Sequence, residues 1–177
     1  MLKGELIEHR VLVFEKSEDL DKLVESGYGK WLDDKLELAL VEAMYLVNKG
    51  KLIVEKEGVA LDKKDFLKYC EDNERNFHAR LIVYTDLRER GFVVKTGFKF
   101  GCDFRVYERG VKIKKGPKEA YEHTKWVVHA IPEEFNCSFP ELSRAVRLAQ
   151  NIRTEMIWAI VDTEGDVTYY MIKRITP

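Results

Sequence analysis

The stretch Tyr84–Tyr107, YTDLRERGFVVKTGFKFGCDFRVY, holds the change of period on which the fold turns. Its first part completes a helix expected over Arg75–Arg90, with Phe77, Leu81, Tyr84 and Leu87 along one face and Gly91 as its stop. Alternation then replaces helical spacing. Phe92–Thr96 reads as a strand, Gly97 as a turn, and Lys99–Tyr107 as a second strand. A helix feeding strands joined by a tight turn points to an α+β arrangement with a largely antiparallel sheet.

Toward the C-terminus, residues 109–120 form a basic, turn-rich loop, and Thr124–Ile131 follows as a strand. Pro140 opens a helix running to about Arg153. Met156–Val161, the turn Asp162–Asp166 and Val167–Arg174 read as a terminal hairpin. Toward the N-terminus, Leu2–Glu8 and Arg10–Glu15 read as short strands. A helix starts at Ser17-Glu18-Asp19 and stops near Gly27. Leu36, Leu40, Ala43 and Val47 share a helical face, which predicts a helix over Leu36–Asn48. Lys51–Val59 reads as a hairpin around Glu57-Gly58, and Asp62 caps a helix through Tyr69. The polar stretch at 72–76 divides a small N-terminal α/β domain, 1–74, from a C-terminal α+β domain, 75–177.

The 177 residues are 45% hydrophobic and 34% charged, enough to bury a core and keep a wet surface, which excludes disorder and collagen. Thirty basic residues nearly cancel 31 acidic ones, so an overall nucleic-acid coat is excluded while a local basic groove is not. No apolar run approaches the roughly 20 residues of a membrane span. The N-terminus lacks an apolar signal segment, so a cytoplasmic location without membrane association is expected. Cys70, Cys102 and Cys137 are odd in number and show no zinc spacing, so neither a disulfide framework nor a structural metal is expected. P-loop, Rossmann, H-E-x-x-H and G-x-S-x-G signatures are absent.

Among four histidines, His9, His78 and His129 read as ordinary strand or helix residues. His123 differs, because it stands between a basic loop and a strand, where an imidazole can be exposed and free to titrate near neutrality. From Tyr107 to Lys125 there are six basic residues against three acidic ones. Arg144, Arg147, Asn151 and Thr154 share one face of the helix after Pro140, with Arg153 beside them. This face reads either as a solvated helix surface or as an arginine stripe that grips phosphate or stacks on a base.

These residues resemble the archaeal tRNA-splicing endonucleases. The resemblance rests on Asp86-Leu87-Arg88-Glu89-Arg90-Gly91, on Lys99-Phe100-Gly101-Cys102-Asp103-Phe104-Arg105-Val106-Tyr107, on Glu122-His123, and on the ending Ala159–Tyr170. It covers residues 80–177 well and the N-terminal part more loosely. It implies a restriction-endonuclease-like core and a nuclease that excises introns from precursor tRNA at bulge–helix–bulge motifs. Such cleavage uses no metal or other cofactor and leaves 2′,3′-cyclic phosphate and 5′-hydroxyl ends.

By that resemblance Tyr107 takes or positions the proton of the ribose 2′-hydroxyl and His123 protonates the leaving 5′-oxygen. A phenol normally loses its proton near pH 10, so such a base needs a cationic field. The family's third catalytic residue is a lysine, and here Thr154 occupies its position, followed by Glu155. Arg153 or a loop lysine then supplies the charge, or the chain is an active-site variant of an active enzyme, or it is a structural subunit for a catalytic partner. Thr154→Lys is expected to raise cleavage if the missing charge limits it. A general RNA-binding module without cleavage is the third reading. The resemblance also implies a bulge-nucleotide grip for Arg147. It implies an acidic loop (Asp162, Glu164, Asp166) that enters a neighbouring subunit, and a terminal strand with Tyr169 and Tyr170 that pairs in a homodimer, homotetramer or heteromer.

Overall fold

A computed structural model of the chain describes residues 1–97, 101–112 and 123–177. Parts of the expected strand at Lys99 and of the basic loop, with Lys114, Lys115 and Lys118, lie outside these residues. The described residues form an α+β fold of two compact units, Met1–Leu81 and Ile82–Pro177.

The first unit contains β1 (Leu2–Ile7), β2 (Arg10–Val13), α1 (Glu18–Glu25), β3 (Lys30–Leu32), β4 (Lys35–Ala39), α2 (Leu40–Asn48), β5 (Leu52–Lys56), β6 (Val59–Ala60) and α3 (Lys63–Asn73). Its sheet runs β3-β4-β2-β1-β5-β6, antiparallel except where β1 lies parallel to β5. Ser17 and Asp62 cap α1 and α3 by accepting the N–H groups of Leu20 and Asp65.

One expectation fails here. Residues 36–39 are strand rather than the first turn of a helix. Leu36 and Leu38 are fully buried and alternate with half-buried Lys35, Glu37 and Ala39, while their backbones pair with β2. The stripe Leu36–Leu40–Ala43 satisfied a helical period only because Leu40, the first residue of α2, follows a strand whose inward residues are also leucines. At the start of α2, Glu42 is only 3% exposed. Its carboxylate accepts the N–H groups of Gly29 at 3.1 Å and Ala39 at 3.0 Å, which compensates the buried charge at the positive end of the helix.

The helix α4 (Phe77–Glu89) runs through the division between the units. The second unit then holds β7 (Val93–Thr96), β8 (Phe104–Tyr107), β9 (Trp126–Pro132), α5 (Phe139–Asn151), β10 (Glu155–Val161) and β11 (Val167–Ile172). Sheet order is β11-β10-β9-β8-β7, with β9 and β10 parallel and every other neighbour antiparallel. The parallel pair follows from α5, which carries the chain back to the end where β9 began. Ser138 and Glu141 cap α5 reciprocally, each accepting the other's N–H.

Residues 101–103 form a turn, so β8 starts later than the alternation implied. Close by, a Cβ on Gly97 would stand 2.3 Å from the Cys102 sulfur and 2.7 Å from its carbonyl oxygen, so only glycine fits there. Gly97 and Cys102 are thus in close contact, and burial pushes the Cys102 thiol up to about 11. One face of the sheet packs Phe104 against Tyr84 of α4, with ring centroids 5.6 Å apart. Val127 and Met156, which point to the other face, pack with Ala145 and Ala149 of α5.

Candidate active site

Strand directions decide which residues meet. β8 ends at Tyr107, β9 begins three residues after His123, and β10 begins directly after Thr154. Because β8 is antiparallel to β9 and β9 is parallel to β10, all three positions fall at one end of one sheet. Their surroundings differ. Tyr107 is only 2% exposed and packs with Val93 and Val111. His123 is exposed. Thr154 is half-buried, and its hydroxyl donates to the carbonyl oxygens of Lys125 at 2.6 Å and Thr124 at 3.2 Å.

Lys125 stands between these strand ends. Its N–H donates to the Val106 carbonyl at 2.8 Å, and its ammonium pairs with the Glu108 carboxylate. That bond holds the Glu108 carboxyl below the usual carboxylate range. The ammonium also lies 4.6 Å from the Trp126 ring centroid. Trp126 meets Phe92 edge-on, and the Arg109 guanidinium lies 4.9 Å from the Phe92 centroid. Sequence reading counted Lys125 and Arg109 only as part of a local charge excess. Arg109 reaches Phe92 across the β7–β8 pair, a contact that becomes visible only with the register, whereas Lys125 and Trp126 are neighbours in the chain.

Arg144 and Arg147 are exposed on α5, and Arg147 donates to the Ser143 hydroxyl at 3.1 Å. Arg153 is exposed in the turn between α5 and β10, with a left-handed backbone (φ 53°). The site end of the sheet therefore carries positive groups just before β9, on the segment after β8 and in the α5–β10 turn. None of these is the lysine expected from the resemblance. Among the described residues no three His, Cys, Asp or Glu side chains are grouped as metal ligands would be, and no helix is long and apolar enough to cross a membrane.

The opposite end of β10 carries the acidic turn. The Asp162 carboxylate accepts the N–H groups of Glu164 and Asp166, both at 2.9 Å, so it shapes the loop from within. The exposed Glu164 and Asp166 are the carboxylates the loop presents. On β11, the edge strand, the Tyr169 hydroxyl donates to Asp86 at 2.5 Å, and burial followed by that carboxylate pushes its phenol above the ordinary range. Tyr170 is 54% exposed and lies in register with Trp158. Tyr169 is thus engaged within the unit, whereas Tyr170 faces outward.

Two family models match the chain. Residues 2–67 match the tRNA intron endonuclease N-terminal domain, and residues 77–169 match the tRNA intron endonuclease catalytic C-terminal domain. The chain is 40% identical to a tRNA-splicing endonuclease of Thermococcus gammatolerans over 148 residues, 84% of this chain and 83% of that one. It is 37% identical to a tRNA-splicing endonuclease of Methanothermobacter thermautotrophicus over 152 residues, 86% and 85% of the two chains. It is 41% identical to one of Methanococcoides burtonii over 172 residues, 96% of this chain but 47% of that longer protein.

Proposed function

Since this chain belongs to the tRNA-splicing endonuclease family, we propose that it cleaves precursor tRNA at bulge–helix–bulge motifs by metal-independent transfer of the phosphodiester to the ribose 2′-oxygen. The observation that supports this reading is that the positions of His123, Tyr107 and Thr154 fall at one end of one sheet, with the imidazole exposed.

The chemistry balances with two proton-handling groups. The 2′-hydroxyl gives up its proton as its oxygen bonds to phosphorus. The P–O5′ bond breaks, and His123 as the imidazolium donates a proton to the departing 5′-oxygen. The products are a 2′,3′-cyclic phosphate and a 5′-hydroxyl. Tyr107 is assigned to the 2′-hydroxyl proton, which requires bound RNA to uncover a phenol that packs with Val93 and Val111. Positive groups around the site, among them Arg109, Lys125 and Arg153, favour negative charge on the phosphoryl oxygens.

A second reading rests on a specific observation. Tyr107 is buried and Thr154 is uncharged. Both fit a structural subunit that supports a catalytic partner, with Glu164 and Asp166 of the acidic turn entering a basic cleft and the β11 edge, with Tyr170, pairing between subunits. Single-turnover cleavage of a bulge–helix–bulge RNA by the purified chain, with and without a related catalytic subunit, separates the two.

On either reading Arg147 faces the RNA. Arg147→Ala is expected to weaken binding by about 0.5–2 kcal/mol if the guanidinium stacks on an unpaired base. Filter binding against a bulged and a fully paired RNA checks this. The loss is expected to be larger for the bulged RNA, and an equal loss on both counts against base recognition.

A further inference from the structure

We propose that Thr154 is a positioning residue, whose hydroxyl holds His123 at the sheet end through the main chain of the two residues that follow it. The inference rests on the reading of His123 as the group that protonates the leaving oxygen.

His123, Thr124 and Lys125 precede β9 and lie outside its ladder. The segment is nonetheless gripped from both sides. On the β8 side, the Lys125 N–H donates to the Val106 carbonyl at 2.8 Å, and the Lys125 ammonium pairs with Glu108. On the β10 side, the Thr154 hydroxyl donates to the Lys125 carbonyl at 2.6 Å and leans toward the Thr124 carbonyl at 3.2 Å. The donor is itself fixed. The Thr154 N–H bonds the Ala149 carbonyl at 2.9 Å, closing the end of α5, and a β-branched side chain has little rotamer freedom. The helix end, β10 and the His123 arm are thereby tied together through one residue, its N–H on the helix and its hydroxyl on the arm.

Such a tie bears on proton transfer because a general acid works only within hydrogen-bond reach of the oxygen it protonates. A displacement of about 1 Å can lower a rate by as much as about 10²-fold. A short hydroxyl reaches the two carbonyls directly from the strand start. The position where the family carries a charge has here become a clasp for the acid.

Thr154→Val removes the donor and keeps the shape, and Thr154→Ser keeps the donor. In the full chain the valine variant is expected to lose about tenfold in kcat for bulge–helix–bulge RNA, the scale of one hydrogen bond, with KM unchanged and the melting temperature lowered by no more than a few degrees. Serine restores the rate. Amide hydrogen exchange over residues 123–126 is expected to quicken in the valine variant and not in the serine variant. In a chain that cleaves, an unchanged rate or an unchanged exchange in the valine variant overturns the clasp. If the wild-type chain cuts nothing, alone or with a catalytic partner, the proposed cleavage falls. The clasp is then judged on exchange alone, where faster exchange in Thr154→Val supports it and unaltered exchange overturns it.

Discussion

His123→Ala is expected to lower cleavage of a bulge–helix–bulge RNA by about 10²–10⁴-fold, the range for loss of a positioned general acid, while RNA affinity stays nearly intact. The split between the two effects follows from the placement of the residue. His123 is exposed at the sheet end and precedes β9, so its removal leaves no cavity in the core and breaks no strand pairing. On the proposed reading, affinity comes instead from the arginines on and after α5 and from the basic residues around β8 and β9. Cleavage under single-turnover conditions and binding at the same salt concentration measure the two quantities. Equal loss of both contradicts an acid role.

The second large effect concerns stability. Phe104→Ala is expected to destabilise the C-terminal unit by about 3–5 kcal/mol, the usual range for truncating a fully buried aromatic ring. Phe104 is inaccessible to solvent and packs against Tyr84, joining β8 to α4. A loss of that size is a large part of the 5–15 kcal/mol typical of a folded domain. Urea unfolding followed by tryptophan fluorescence should show a lower midpoint, because Trp126 and Trp158 both lie on strands of this sheet. An unfolding free energy within about 0.5 kcal/mol of the wild type, the scale of a neutral surface change, would show that the contact between β8 and α4 is not a core contact.

How much the sequence revealed depended on the range of the interaction. Features set by neighbours in the chain were legible. The Ser17 cap, the stop at Gly91 and the turn at Gly165 each act within four residues. Features set by alternation were legible where the alternation stood alone, and ambiguous where a strand ran straight into a helix. At Leu36–Leu40 the inward leucines of β4 line up with the inward residues of α2, so a period of two passes for one near four. The strand β3 had no signal at all, since its three residues are all exposed.

The site divides in the same way. Tyr107, His123 and Thr154 could be picked out by residue type and by resemblance. Their meeting at one sheet end depends on strand order, which no local pattern encodes. The ion pair between Glu108 and Lys125 spans 17 residues, and the bond from Tyr169 to Asp86 spans 83. Thr154 read as a missing cation because residue type is visible in a sequence and hydrogen-bond partners are not. Only the register of β8, β9 and β10 shows that its hydroxyl has two carbonyls to hold.

The most direct test is to incubate the purified chain alone with a bulge–helix–bulge RNA in excess EDTA and to analyse the ends of the products. The account predicts cuts within the bulges, leaving a 2′,3′-cyclic phosphate on one side and a 5′-hydroxyl on the other. RNA that stays intact with the chain alone, but is cut under the same conditions once a related catalytic subunit is added, would contradict it and assign the chain a supporting role.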